Sequence, residues 1–366
     1  KAAKAWAKHH MPIAAKPAFG NSRQSDKRLR IGWISPFFCQ HPSFGLLSAL
    51  ARNLNRHEIE LFLYSATPRP DNVTRQWQVM ADGWREVCGQ DPMRIADRIR
   101  KDKIDILIDV CGIHPTQPID VFAIKAAPVQ ASLSAITTGI AEMDYLIGHK
   151  DVFGGSLAEN KMFSERPYPL ALGPYLPAEL DDALPLTPLP AAVGEEIIRF
   201  GCIERLANIS NETLNCFARI LNKISNSRIV IQDDVLEDSY AAKTFLDRAR
   251  QAGIKRDRLD LAGKIKPQDR AALYAQIDIG LAPFPAISLE TYYEMLWFGI
   301  PFVSLADDRP GSRLGLAVLG DIGLGALCAE TEKGYVDKCI MLASDLKALA
   351  SIRENMRERI RGSRAF

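Results

Sequence analysis

The sequence predicts an α/β protein of two Rossmann-like domains, each a parallel sheet covered by helices, that face a cleft. Three observations predict it. From Leu29 onward short apolar segments alternate with longer helical ones, the pattern of βαβ units. The alternation stops where prolines stand at 167, 169, 174, 177, 185, 188 and 190, a density no helix or central strand accommodates, and then restarts. The length of 366 residues suits two domains of ordinary size, each with its own core.

Taken in order, residues 1–26 read as a basic helix tail and linker, with His9 and His10 in solvent. The start at Lys1 and the end in a charged helical stretch suggest a piece of a longer protein. A first domain, 27–165, has strands at 29–35, 59–65, 104–110, 129–133 and 145–148, with helices clearest at 45–55 and 94–102. The linker follows at 166–195. A second domain, 196–340, has strands at 197–202, 229–232, 259–262, 278–282 and 302–305, with helices at 211–224, 240–252, 268–277 and 289–298. Terminal helices complete the chain, the last spanning 341–366.

Charge and cysteine content narrow the function classes. The 46 basic and 44 acidic residues nearly cancel to a net charge of +2, without the clustered basic face of a nucleic-acid protein. No apolar run is long enough for a membrane span. Seven cysteines without a Cys-x-x-Cys pair signal neither a zinc site nor a disulfide framework, which points to a reducing cytoplasm.

Ligands of open parallel sheets bind at the carboxyl ends of strands, so the loops there are the candidate sites. His41 stands in the loop after the first strand and can accept a proton from a hydroxyl or hold a substrate oxygen. His114, in a comparable loop, is a second candidate for acceptor or sugar contact. In the second domain the segment 283–291 opens a helix whose free amides and dipole suit an anion. Ser288 is its candidate N-cap and Thr291 offers a hydroxyl. Glu290 and Glu294 lie four apart on one face, placed either for a ribose diol or for dipole stabilisation alone. Tyr292, Tyr293 and Trp297 read as core, and Arg313 as a phosphate contact or a partner of Asp307 and Asp308.

The chain resembles glycosyltransferase family 41, which includes the protein O-GlcNAc transferases, over about residues 27–361. The stretches that carry the likeness are Leu-Arg-Ile-Gly-Trp-Ile-Ser at 29–35, His-Pro-Ser at 41–43, Asp-Ile-Leu-Ile-Asp at 105–109, Ala-Pro-Val-Gln at 127–130 and Met-Asp-Tyr at 143–145. Pro-Phe-Pro at 283–285, Leu-Trp-Phe-Gly at 296–299 with Pro301, and Ser312-Arg313 continue it. The resemblance implies a GT-B fold and a metal-independent, inverting transfer of GlcNAc or another hexose. The donor it implies is a nucleotide-diphosphate sugar, UDP-GlcNAc first, with no cofactor besides. The implied acceptor is a protein Ser or Thr, recruited by an upstream tetratricopeptide array. It assigns His41 as the cleft histidine discussed as base, Thr291 to phosphate, Glu294 to the ribose, Arg205 beside the diphosphate, and the loop with Thr137 and Thr138 to the sugar.

The chain departs from the family pattern at four places. Asn208 stands where the family has a lysine that neutralises the departing diphosphate, and Glu290 replaces a phosphate-facing threonine. Arg270 replaces the residue that stacks on the base, and the sugar loop at 134–139 is about two residues short. Loss of one such preorganised donor costs about 3 to 4 kcal/mol of transition-state stabilisation. Two outcomes fit: Arg205, Arg270 or Lys266 supplies the charge in an active transferase, or an impaired homologue serves as a binding or scaffold module.

Overall fold

The computed structural model describes residues 2–11, 17–41, 43–134, 136–154, 162–171, 186–193 and 197–363. The chain divides into two compact units, Lys1–Ala178 and Glu179–Phe366.

The first unit is a parallel sheet of β1 (Leu29–Ser35), β2 (Ile59–Ser65), β3 (Gly83–Glu86), β4 (Ile106–Asp109), β5 (Val129–Leu133), β6 (Tyr145–His149) and β7 (Arg166–Leu170). Their order across the sheet is β3-β2-β1-β4-β5-β6-β7. Side chains alternate across a strand, so neighbours in sequence feed opposite cores. Trp33, Leu61 and Leu63 pack with Trp77 and Phe38 in one apolar cluster. Ile34, Phe62 and Tyr64 pack with Ile95, Ile99 and Phe122 in another. Cover on both faces is why these strands read as nearly continuous apolar runs.

Local signals set the helices. Asp71 caps Asn72–Met80 in a capping box with Thr74, and Asp91 caps Pro92–Lys101, which opens on proline and ends in basic residues. Helix Ala2–His10 rests on the first unit, with Ala7 and Met11 joining its core.

The second unit repeats the plan with β8 (Ile198–Ile203), β9 (Ser227–Gln232), β10 (Leu259–Ala262), β11 (Ile279–Leu281), β12 (Phe302–Leu305) and β13 (Cys328–Ala329). Their order is β10-β9-β8-β11-β12-β13, again parallel. Arg353, 1% exposed, fastens helix Leu346–Glu354 by donating to the Thr187 carbonyl (2.8 Å), the Thr187 hydroxyl (2.9 Å) and the Ile277 carbonyl (2.9 Å).

Three readings are corrected. Residues 166–170, expected to open the linker, form β7, so the first sheet runs past the expected boundary at 165. This is an edge strand, where Pro167 and Pro169 are tolerated because alternate positions need no bond to β6. The expected boundary at 340 falls inside helix Glu332–Ser344, and the expected single helix 341–366 is replaced by the end of that helix followed by Leu346–Glu354 and Met356–Arg361. The helix expected at 268–277 shrinks to Arg270–Tyr274. No helix among the described residues is long and apolar enough to cross a membrane.

Candidate functional site

Each sheet reverses its strand order once, between β1 and β4 and between β8 and β11. Connections leave in opposite directions at such a point and open a crevice beyond the strand ends.

In the first unit the loops after β1 and β4 bring His41 and His114 against one ring. Phe37 stacks on His41 at 3.8 Å between centroids and meets His114 edge-on at 4.9 Å. Both histidines sit in a His-Pro-hydroxyl triplet with the same local geometry. The Nδ1 of His41 lies 2.7 Å from the Ser43 hydroxyl and accepts the Ser43 N–H at 3.2 Å. The Nδ1 of His114 lies 2.9 Å from the Thr116 hydroxyl and accepts the Thr116 N–H at 3.3 Å. In the tautomer that accepts this N–H the neutral ring carries its proton on Nε2. In that tautomer each imidazole is set to hold an oxygen through Nε2–H; in the other, Nδ1–H donates to the neighbouring hydroxyl and Nε2 is open to accept a proton.

Asp109, at the end of β4, is fully buried and organises the same loops. It accepts from the Cys111 (3.1 Å) and Gly112 (2.9 Å) amides, the Gln117 amide side chain (2.8 Å) and the Ser132 hydroxyl (2.8 Å). Gln117 also donates to the Ile34 carbonyl of β1 at 3.1 Å, bridging the reversal. Burial pushes the Asp109 carboxyl up. Asp71 accepts the Gln40 N–H at 2.7 Å and so ties the His41 loop to helix Asn72–Met80.

The sugar-loop threonines turn inward. Thr138 is 1% exposed, and its N–H and hydroxyl both donate to buried Glu165, which also accepts from the Thr137 hydroxyl at 2.6 Å. Burial works to raise the Glu165 carboxyl, but these hydrogen bonds more than offset it and hold it low. The expected contact of Thr138 with a ligand is corrected accordingly.

In the second unit Glu204, at the end of β8 and 4% exposed, holds the reversal together. It accepts from the Arg205 N–H (2.9 Å), the Asn208 side chain (3.0 Å), the Ser288 N–H (2.6 Å) and the Ser288 hydroxyl (2.6 Å). Ser288 does precede helix Leu289–Trp297, but it makes no side-chain cap because its hydroxyl goes to Glu204. The approach to that helix is pinned: the Thr213 hydroxyl donates to the Phe284 carbonyl at 3.0 Å, and Tyr335 donates to the Ala282 carbonyl at 3.0 Å. Tyr292, Tyr293 and Trp297 are buried, as expected of core residues.

Thr291 is half-buried and Glu290 exposed in the first turn. Glu294 and Arg270 come together as an ion pair, and the Tyr274 hydroxyl donates to Glu294 at 2.9 Å. Burial first, then the neighbouring carboxylate, pushes the Tyr274 hydroxyl up, so it stays a donor. In this structure Arg270 thus pairs with the expected ribose carboxylate. Asp307 pairs with Arg309, while Arg313 reaches the Asp307 carbonyl at 3.5 Å. The Arg205 side chain is exposed on the loop after β8, beside the Asn208 that Glu204 holds.

The reading of the sequence missed Phe37, Asp109, Glu165 and Glu204. The one signal for them is position: Asp109 and Glu204 stand at strand ends flanking the two reversals.

The family model for glycosyl transferase family 41 matches residues 7–171 and 189–366. A barley protein named "Probable UDP-N-acetylglucosamine--peptide N-acetylglucosaminyltransferase SPINDLY" is 30% identical over 363 residues, covering 96% of this chain and 38% of its own. The Arabidopsis thaliana protein of the same name is 30% identical over 353 residues, covering 94% and 38%. The chain thus spans well under half the length of these relatives. A point variant of the Thermobaculum terrenum O-GlcNAc transferase superposes with a TM-score of 0.90 at 29% identity, over 98% of this chain and 68% of that one.

Proposed function

The chain belongs to glycosyltransferase family 41, and from that premise we propose that it moves GlcNAc or another hexose from a nucleotide-diphosphate donor, UDP-GlcNAc first, to a Ser or Thr hydroxyl of a protein. Its fold is GT-B, two Rossmann-like units. The observation that carries the reading is the match in both sequence and backbone across both strand reversals.

In this reading the transfer is one inverting displacement. The acceptor oxygen bonds to the anomeric carbon as the bond to the diphosphate oxygen breaks, the diphosphate leaves with the electron pair, and the hydroxyl proton passes to a base. His114 orients an oxygen through Nε2–H, and His41 takes the hydroxyl proton on Nε2 in the tautomer whose Nδ1–H donates to the Ser43 hydroxyl. Arg205 and the open amides at the start of helix Leu289–Trp297 stabilise the leaving diphosphate without a metal. Glu294 takes the ribose diol once it exchanges its bond to Arg270.

A second reading, an impaired homologue that binds or scaffolds, is favoured by one observation: Glu204 and Asn208 at that terminus leave a carboxylate where a cation is wanted. Calorimetric titration with UDP, GDP and TDP, followed by mass spectrometry of candidate acceptors incubated with UDP-GlcNAc and EDTA, separates the two. Binding of UDP with an N-acetylhexosamine mass increment on Ser or Thr is expected. Absence of nucleotide binding together with absence of any increment overturns the transferase reading.

A further inference from the structure

Glu204 is buried, and among the described residues no lysine or arginine pairs with it; four uncharged donors hold it instead. Two of those donors belong to Ser288, which opens helix Leu289–Trp297. A carboxylate of the protein therefore already lies against the positive end of this helix, where dipole and unpaired amides favour an anion. Glu290 adds an exposed carboxylate in the same first turn.

We infer that Glu204 is a positioning residue that sets how strongly the protein holds the diphosphate of its donor. It fixes the 204–208 loop against the helix start, and by like charge it weakens binding of the anion that belongs beside it. The inference rests on the proposed donor site. Its consequence is that the nucleoside contributes most of the donor affinity and each phosphate adds little. Unit charges a few ångströms apart in a partly screened site interact by about one to two decades in affinity.

The test is the affinity series uridine, UMP and UDP on the wild-type chain, Glu204→Gln and Glu204→Ala, with thermal melting as the check on folding. In the wild-type chain UDP is expected to bind less than about tenfold more tightly than uridine. Removing the charge is expected to raise the ratio of UDP to uridine affinity about ten- to hundredfold in both variants, with uridine itself unchanged. A merely structural Glu204 weakens both ligands together. If UDP binds the wild-type chain and the ratio stays the same or falls in both variants, this inference fails while the donor reading stands. If no ligand of the series binds any of the three proteins, both fail together.

Discussion

Asp109 concentrates the chemistry of the first reversal in one carboxyl. Its pKa is raised by burial, so the native state keeps this proton to higher pH than the unfolded chain does. The linked stability is present at low pH, is lost as pH rises from the ordinary aspartate value through the raised one, and stays lost above it. Asp109→Asn keeps the shape and can donate to Ser132 in place of accepting. Its stability relative to the wild-type chain should therefore rise with pH across that window, reaching equality or a gain of about 1 kcal/mol at neutral pH. Asp109→Ala strands the Cys111 and Gly112 amides and should cost about 2–4 kcal/mol at neutral pH, and more at low pH where the wild-type chain keeps its linked stability. Urea unfolding from pH 3 to 8 measures both, and a pH-independent difference for the asparagine variant contradicts the account. His41 and His114 were legible in the sequence because their triplets follow apolar runs that end in loops. Glu204 was not, because its partner Ser288 lies 84 positions away and a glutamate before an arginine looks like surface.

Elements were legible where period and length agreed. The strands Leu259–Ala262 and Phe302–Leu305 match their expected bounds, since each is a short apolar segment between turn residues or helices. Gly83–Glu86 was missed because four residues with an arginine and a glutamate carry too little alternation. Arg166–Leu170 was missed because proline argues against a strand until the strand is known to lie at an edge. The helix Ala2–His10 shows a dependence that composition alone hides. Gly139 has φ of +79°, and a Cβ there falls 2.4 Å from the Ala3 carbonyl, so the loop that carries Thr137 and Thr138 packs directly on this helix. Gly139→Ala should cost about 1–3 kcal/mol from the left-handed conformation, with the backbone clash on top. The helix is then expected to lift, and trypsin to cut after Lys4 or Lys8 several-fold faster than in the wild-type chain. Unchanged cleavage alongside unchanged melting means the loop and helix accommodate the methyl and the packing is not tight.

At the scale of the whole molecule, near-neutral charge and ordinary composition conceal a division of labour that the topology exposes. One chain carries two parallel sheets, each reversing its strand order once, and the side chains at the two reversals differ in kind. The first offers uncharged donors, two imidazoles with their Nδ1 atoms filled, over a buried acid. The second offers a helix start, an exposed Arg205 and the carboxylates Glu204, Glu290 and Glu294. Neutral donors suit hydroxyl oxygens, and a guanidinium beside a helix start suits phosphate. The two sets should therefore fail in different kinetic terms. Arg205→Ala is expected to weaken UDP by up to about tenfold, to near the affinity of uridine, while leaving uridine within threefold, the loss of one charge-assisted contact to phosphate. His41→Ala is expected to leave UDP affinity within about threefold and to lower turnover on a protein acceptor by about two to three decades. Titration calorimetry with UDP and uridine, set beside turnover of both variants on a protein acceptor, makes the comparison. A fall in UDP affinity for His41→Ala equal to its fall in turnover contradicts the division.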